Sequence, residues 1–342
     1  MKAAEPVPED VANRLLGDAS ELLASGECDD RVAGWEIVGD LCNGRPQYVE
    51  RSWDVVREHL DREDDPEVVE AAVYALGHMA ANDYDRERMI PEARELLLAH
   101  TDATSSEVRL AVARDLPWFL GVPEDTRVLA GLIALTRDPE DTIRDWATFG
   151  LAQMIDVDTV DVRGALVDRL ADEHEDTREE AMMGLARRRD PVAKETVLVA
   201  LTCDSVGTYP VESAALLGDD DFLPLLIALR DWWDVDPELL EKAISRCDPV
   251  QRAASEAQWQ QVLGGIRQEF DCSPMELIGV DIDDDPHDLD RAIRVEWKDA
   301  AGDAQCASFD LDRVLLRDDV LGDAATAARR MVEMLDANSS PR

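Results

Sequence analysis

The chain has 342 residues, 45% of them hydrophobic, and 76 aspartates and glutamates against 35 lysines and arginines give a formal net charge of −41. This apolar content supports a sizeable core and excludes a wholly disordered chain. The charge argues against direct binding to nucleic acid or anionic lipid, which require clustered cationic side chains. The absence of an 18-residue apolar run or an apolar leader predicts no membrane span and a cytoplasmic location.

The acidic residues are spread over every segment, and this distribution has two interpretations. One is a proteome-wide surface composition such as halophilic adaptation, in which salt screens the repulsion between hydrated carboxylates. The other is an acidic surface that holds a basic partner or imitates DNA. The even spread favours the first interpretation but leaves the second open.

A short pattern recurs along the first 250 residues. Its copies lie at 29–41, 65–77, 105–117, 140–152, 174–186 and 209–218. Each copy carries an apolar anchor residue, and these anchors are Val38, Leu76, Leu116, Leu151, Leu185 and Leu217. Six weak copies in order are stronger evidence for an internal repeat than any single copy.

Each copy predicts an amphipathic helix that follows another one. In the second copy, Val68, Ala72 and Leu76 are spaced at helical intervals and share one face. Turn residues such as Asp65-Pro66 stand at the start of the copies, and aspartate suits a helix cap while proline suits the first helical position. The unit is therefore helix–turn–helix. One such unit cannot cover its own apolar face, so the units are expected to stack into a solenoid.

The pattern D-P-x-V-R-x-x-A-x-x-A-L-G resembles HEAT repeats, in the bacterial form known as PBS-lyase HEAT-like repeats, over roughly residues 10–250. The resemblance implies an all-α, right-handed solenoid that serves as a binding scaffold, and the family has no single activity. It also implies a ladder between repeats, made by an aspartate in the turn and an arginine six residues later. Asp138 with Arg144 and Asp172 with Arg178 fit this spacing. Arg109 has no aspartate six residues before it, so the ladder is expected to be partial.

After residue 250 the pattern changes. Residues 251–270 predict one more helix, and the alternation of Ile293, Val295 and Trp297 with charged residues predicts a β-hairpin with 306–309. A first strand at 275–282 and a final helix at 322–337 complete a small α+β module. We therefore predict two domains: a HEAT-like solenoid of about six to seven helix pairs at 1–250, and a capping helix with the α+β module at 251–342.

The sequence predicts no catalytic residue, no metal site and no cofactor. Residues 281–285 begin like a calcium-binding EF-hand loop, but Pro286 stands where glycine is required and Ala292 where glutamate is required. Deoxyhypusine hydroxylase, an iron enzyme built from helical repeats, uses several His-Glu pairs. This chain has one such pair, His174-Glu175, so we expect no such centre and no enzyme activity.

One surface is predicted to bind a partner. The second helix of a HEAT repeat usually lines the concave side, and aromatic residues, methionine and arginine are enriched at the centres of interfaces. On successive second helices, the side chains that point sideways or outward from the core face include a set of large residues. We predict that they form a groove, and they are Tyr74, Trp118, Trp146, Phe149 and Met183. The alternative is that these side chains pack between adjacent repeats.

The leading functional hypothesis is a non-catalytic scaffold that binds a protein partner on its concave face. The alternatives are an acidic DNA mimic or decoy that occupies a basic protein, and a non-catalytic subunit of an enzyme complex. Under each of these hypotheses, we expect no direct binding to nucleic acid or to membranes.

Overall fold

The computed structural model describes residues 7–60, 65–81, 86–271, 273, 275–283, 292–299, 302–310 and 324–339. The chain divides into two compact units, Met1–Leu185 and Ala186–Arg342. Helix pairs dominate both units, and a small antiparallel sheet lies near the C-terminal end. The predicted fold class, helical repeats with a small α+β module, is confirmed. Residues 284–291, which include most of the EF-hand-like segment, lie outside the described residues.

The first unit is built from helices whose even-numbered members correspond to the repeated sequence pattern. In chain order they are α1 (Glu9–Leu23), α2 (Cys28–Cys42), α3 (Val49–Val56), α4 (Pro66–Ala80), α5 (Arg86–Ala99), α6 (Ser106–Asp115), α7 (Thr126–Leu135), α8 (Asp141–Phe149), α9 (Val160–Arg169) and α10 (Glu175–Arg187). Helix α2 packs on α4, α4 on α6, and α6 on α8, so these second helices form a continuous row.

The turns between helices are fixed by side-chain caps. Asp65 accepts a hydrogen bond from the Glu67 amide at 3.1 Å, and Pro66 occupies the first helical position of α4. Ser105 caps α6 by accepting from the Val108 amide at 3.3 Å. Each cap satisfies an amide that has no partner within its own helix. Part of the chain's polar and acidic content is therefore committed to starting helices.

The apolar positions predicted for the repeats form the core. In α4, Val68, Ala72, Leu76 and Met79 are fully buried. The predicted anchors are also buried, with one exception: Val38, Leu76, Leu116, Leu151 and Leu185 are buried, whereas Leu217 is half-buried. In that last copy the core position is Leu216.

Glycines allow the second helices to approach closely. A Cβ placed on Gly184 of α10 would lie 2.6 Å from the Ala152 Cβ and 2.8 Å from its Cα. A Cβ on Gly150, which follows α8, would lie 2.7 Å from Pro117 Cγ. Real Cβ contacts are essentially never this short, so the packing distance between successive repeats depends on these glycines.

The second unit continues with helices and ends with the sheet. It contains α11 (Lys194–Ala200), α12 (Thr208–Leu217), α13 (Leu223–Leu229), α14 (Pro237–Cys247), α15 (Pro249–Phe270), β1 (Glu276–Asp283), β2 (Ala292–Lys298), β3 (Ala304–Asp310) and α16 (Ala324–Ser339). The strands are antiparallel in the order β1-β2-β3, and the predicted hairpin pairs Ile293 with Phe309 and Val295 with Ala307.

The alternating apolar residues of β2 explain why one face of this sheet packs against helices. Ile293, Val295 and Trp297 are buried with apolar residues of α15 and α16, including Trp259 and Met331. The sheet therefore buries one face, as its period of two predicts. The division into domains 1–250 and 251–342 stays a prediction, and the two compact units of the structure meet at a different point, between Leu185 and Ala186. Among the described helices, none is long and apolar enough to cross a membrane.

Candidate functional site

The predicted groove residues on α4 and α6 form one group. Tyr74 is half-buried, and its ring meets that of His78 edge-on at a centroid distance of 4.4 Å. The Arg114 guanidinium lies 5.6 Å from the Tyr74 ring centre and forms a 2.6 Å ion pair with Asp115. This group combines an aromatic ring with paired charges across two adjacent repeats.

The predicted residues on α8 form a second group. Trp146 and Phe149 meet edge-to-face, with ring centres 5.7 Å apart and an interplanar angle of 84°. Trp146 is 36% exposed, whereas Phe149 is half-buried. Aromatic pairs of this geometry are stabilised beyond their buried area. The pair therefore presents an ordered indole at the surface.

Met183 and Trp118 differ from this pair. Met183 is only 3% exposed, so in this structure its side chain is part of the packing and does not line a groove. Trp118 is half-buried in the short 3₁₀ helix Leu116–Phe119 that follows α6. We therefore define the second-helix surface by the partly exposed residues Tyr74, His78, Arg114, Trp118, Asp145, Trp146, Phe149 and Glu179.

Trp146 occupies a position that is buried in three of the other copies. The equivalent residues in other copies are Ala71, Ala111 and Glu180, each at most 9% exposed. At this position a residue normally faces the neighbouring second helix, which explains why two of these residues are alanine. Trp146 is much larger than these alanines, and at 36% exposed it leaves part of its ring at the surface.

The predicted ladder residues connect successive repeats. Arg144 donates from Nε and Nη2 to the Asp172 carboxylate, each at 2.9 Å, and from Nη1 to the Asp138 carbonyl at 3.1 Å. Arg178 donates to the Asp172 carbonyl at 2.7 Å. Within a copy, the arginine thus binds the backbone of the aspartate six residues earlier. Between copies, Arg144 binds the Asp172 carboxylate of the next repeat.

Arg109 is a ladder residue that the sequence analysis missed. It donates to the Asp138 carboxylate at 2.6 and 3.1 Å and to the Ala103 carbonyl at 2.8 Å. A carbonyl serves as acceptor here, so no aspartate is needed six residues before Arg109. The position of Arg109 in its copy could have predicted this role, because Arg109, Arg144 and Arg178 are each the fifth residue of their copies.

Asp172 is the most constrained carboxylate of the ladder. Its side chain is 3% exposed and also accepts from Arg169 at 3.0 Å and from the His174 amide at 3.0 Å. The hydrogen bonds from Arg144 are the main reason that the pKa of Asp172 falls to about 2. The ladder therefore holds a nearly buried negative charge that is fully paired.

Asp145 and Glu179, on the second-helix surface, have raised pKa values, whereas the pKa of Asp172 is lowered. Burial raises the pKa of Asp145, and the neighbouring Asp176 and Asp141 raise it further, against the effect of His174. Burial also raises the pKa of Glu179, with added repulsion from Glu175 and Asp176. Within the described part of the chain, no group donates a hydrogen bond to the buried Oδ1 of Asp145. The sequence carries no signal that marks these two residues, because acids occur throughout the chain.

Other acidic groups have structural partners or poor ligand chemistry. Asp219 caps a 3₁₀ helix through the Asp221 amide, and Lys194 bridges both carboxylates at 2.8 and 2.7 Å. In the first unit, potential ligand atoms of Cys28, Asp29 and Glu67 lie within 4.8 Å of one another. Burial and the nearby carboxylates raise the pKa of the Cys28 thiol, which disfavours the thiolate that metals bind.

Comparison with known sequences agrees with this architecture. Residues 53–152 match the sequence model of HEAT repeats. Protein YibA of Escherichia coli strain K12 is 29% identical over 150 residues, and so is YibA of strain O157:H7. The match covers 44% of this chain and 53% of YibA, so the chain spans about half the length of these relatives.

Solved structures show the same fold. The X-ray structure of E. coli YibA aligns with a TM-score of 0.55 at 23% identity and covers 68% of this chain and 81% of YibA. The crystal structure of an engineered protein aligns with a TM-score of 0.50 at 17% identity and covers 69% of this chain and 72% of its own. The predicted resemblance to HEAT repeats is therefore confirmed.

Proposed function

We propose that the protein is a non-catalytic, cytoplasmic scaffold that binds a protein partner through the second-helix surface. HEAT and armadillo-like repeats commonly serve as protein-interaction scaffolds, and the second helices of such arrays line their concave side. Tyr74, Trp146 and Phe149 supply the aromatic contact area, and Arg114 supplies a charged anchor. Residues of these types contribute most of the binding energy in protein interfaces.

The observation that carries this proposal is the exposure of Trp146. An indole at a position that is buried in three other copies leaves apolar area in water, which costs free energy without a partner. The edge-to-face contact with Phe149 holds the ring in place, so little side-chain entropy would be lost on binding.

The acidic decoy remains the second candidate. Its support is the formal charge of −41, which would attract a basic protein over long distances at low salt. Several acids, among them Asp65, Asp138 and Asp172, are instead committed to caps and to the ladder. A decoy would lose most of its affinity in 0.5 M salt, where the screening length is only about 4 Å. A partner held by the aromatic residues would be retained.

We expect the double substitution Trp146→Ala, Phe149→Ala to reduce partner recovery at least about tenfold, because each ring is a candidate hot spot. The variant should keep its cooperative thermal unfolding, since Trp146 is partly exposed. The measurement is affinity capture from the native host at matched salt, quantified by mass spectrometry, with melting followed by circular dichroism.

Trp232→Ala is the matched control, because Trp232 is 50% exposed and lies outside the second-helix surface. It should recover the same partners as the wild type. Equal recovery by wild type and double variant would refute the proposal, as would equal losses in the double variant and the control.

A further inference from the structure

We propose that the C-terminal sheet is an interaction surface, on which β3 pairs antiparallel with β3 of a second copy of this chain. The two three-stranded sheets would then join into one continuous sheet across a two-fold axis. This inference is independent of the second-helix surface, because it concerns a strand of the second unit. A dimer of this kind would carry two copies of the second-helix surface.

Strand β3 lies at one edge of the sheet. It pairs with β2 in unbroken register, from Ile293 opposite Phe309 to Lys298 opposite Ala304. On its other side, no strand and no backbone hydrogen bond from any residue that the structure describes meets 304–309. An edge strand directs part of its N–H and C=O groups outward, so this edge offers a row of donors and acceptors to another strand.

The sequence of β3 lacks the features that protect an edge from pairing. Residues 304–309 read Ala-Gln-Cys-Ala-Ser-Phe and contain no charge and no proline, in a chain of which 32% is charged. Edge strands of natural proteins are kept apart by charged side chains, prolines or bulges. The regular, uncharged edge of β3 is therefore suited to adding another strand.

The opposite edge, β1, has these protective features. Its register with β2 shifts between Leu277 and Gly279, which interrupts the ladder. Glu276 and Asp281 also lie on this strand, and pairing with a second β1 would bring their carboxylates close to those of the copy. Of the two edges of the described sheet, β3 is therefore the one that favours self-pairing.

Charge favours a second copy of the same strand as the occupant. Each copy has a formal charge of −41, so two copies repel each other wherever acidic surfaces meet, and a basic segment would gain nothing from this uncharged edge. An antiparallel pairing centred on Cys306 sets Ala304 opposite Ser308. Gln305 then lies opposite Ala307, and no charged residue opposes another along this stretch.

The pairing about Cys306 also preserves the two faces of the sheet. Ala307 and Phe309 pack against the apolar cluster that includes α15 and α16, whereas Cys306 and Ser308 are exposed. Side chains alternate along a strand, so each residue must oppose one from the same face of the copy. Cys306 would lie opposite its own copy with Cα atoms about 4.5–5.5 Å apart, a distance that a disulfide can span.

The test combines sedimentation velocity of the reduced full chain with oxidative cross-linking by copper phenanthroline. We expect a monomer–dimer equilibrium whose dimer fraction rises with protein concentration. It should rise further from about 0.15 M to about 1 M salt, because salt screens the repulsion between two acidic copies. Oxidation should join wild-type chains through Cys306, so Cys306→Ser should reduce the disulfide-linked dimer at least about tenfold.

Cys203→Ser is the matched control, because Cys203 is also exposed and lies in the turn that follows α11. Its yield of cross-linked dimer should equal that of the wild type within about twofold. Both serine variants should melt at the wild-type temperature, since each replaces an exposed side chain. A wild type that sediments as a monomer under all these conditions would overturn the inference, as would a cross-link that survives Cys306→Ser or is lost in Cys203→Ser.

Discussion

Asp172→Asn is expected to lower the free energy of unfolding by about 3 kcal/mol, because it leaves nearly buried arginines without their counter-charge. Arg144 and Arg169 are 16% and 19% exposed and both donate to this carboxylate. Asparagine keeps the shape of the side chain but removes the charge. The measurement is urea denaturation at pH 7, and the loss should appear in the midpoint without a change in slope.

The control for this prediction is Asp168→Asn, which breaks the exposed pair between Arg137 and Asp168. The two side chains are 54% and 53% exposed and lie 3.1 Å apart, so the loss should not exceed about 0.5 kcal/mol. Equal losses in the two variants would show that the ladder is no stronger than a surface ion pair.

The effect of Asp172 should also depend on pH. Its pKa is lowered in the folded chain to about 2, from about 3.9 in the unfolded chain. A depressed pKa in an acid means that the stabilisation is complete above about pH 4 and is lost as the pH falls toward 2. The difference between wild type and Asp172→Asn should therefore be largest at pH 7 and smaller in urea titrations at pH 3.

Gly184→Ala is expected to destabilise the first unit by about 2–3 kcal/mol, because the added methyl group would overlap Ala152. One of the close contacts, at 2.8 Å, is with the Ala152 Cα, so relief requires a shift of the backbone and not only of a side chain. Urea denaturation measures this loss as well.

Gly164→Ala should have the opposite sign. Gly164 is exposed within α9, and no atom lies within 4 Å of the position that its Cβ would take. Alanine there should stabilise the helix by about 0.5–1 kcal/mol, because glycine is a poor helix former. If both alanine variants gained stability, the helix spacing in the first unit would not depend on Gly184.

The repeats could be predicted because each copy carries two independent signals, apolar residues at helical spacing and turn residues ahead of the helix. The C-terminal strands were predictable for a similar reason, since Ile293, Val295 and Trp297 alternate with charges and have one face to bury. The last copy was displaced by one residue. Gly218 ends α12 in the left-handed conformation, and the buried leucine is Leu216 instead of Leu217.

The surface was harder to predict than the core. Whether a second-helix residue is exposed depends on how the neighbouring second helix crosses it, and a single copy does not contain that information. Met183 is therefore buried although Phe149, at the same place in its copy, is partly exposed. Asp145 could not be singled out among 76 acids, because what distinguishes it is the lack of a donor to one oxygen.

The most direct measurement of partner binding is site-specific photo-cross-linking in the native host. A benzoylphenylalanine introduced in place of Trp146 keeps an aromatic side chain at the second-helix surface, and the same residue in place of Trp232 samples another exposed site. We expect a discrete cross-linked protein adduct from the first position and none from the second. No adduct at the first position, or the same adducts from both, would contradict it.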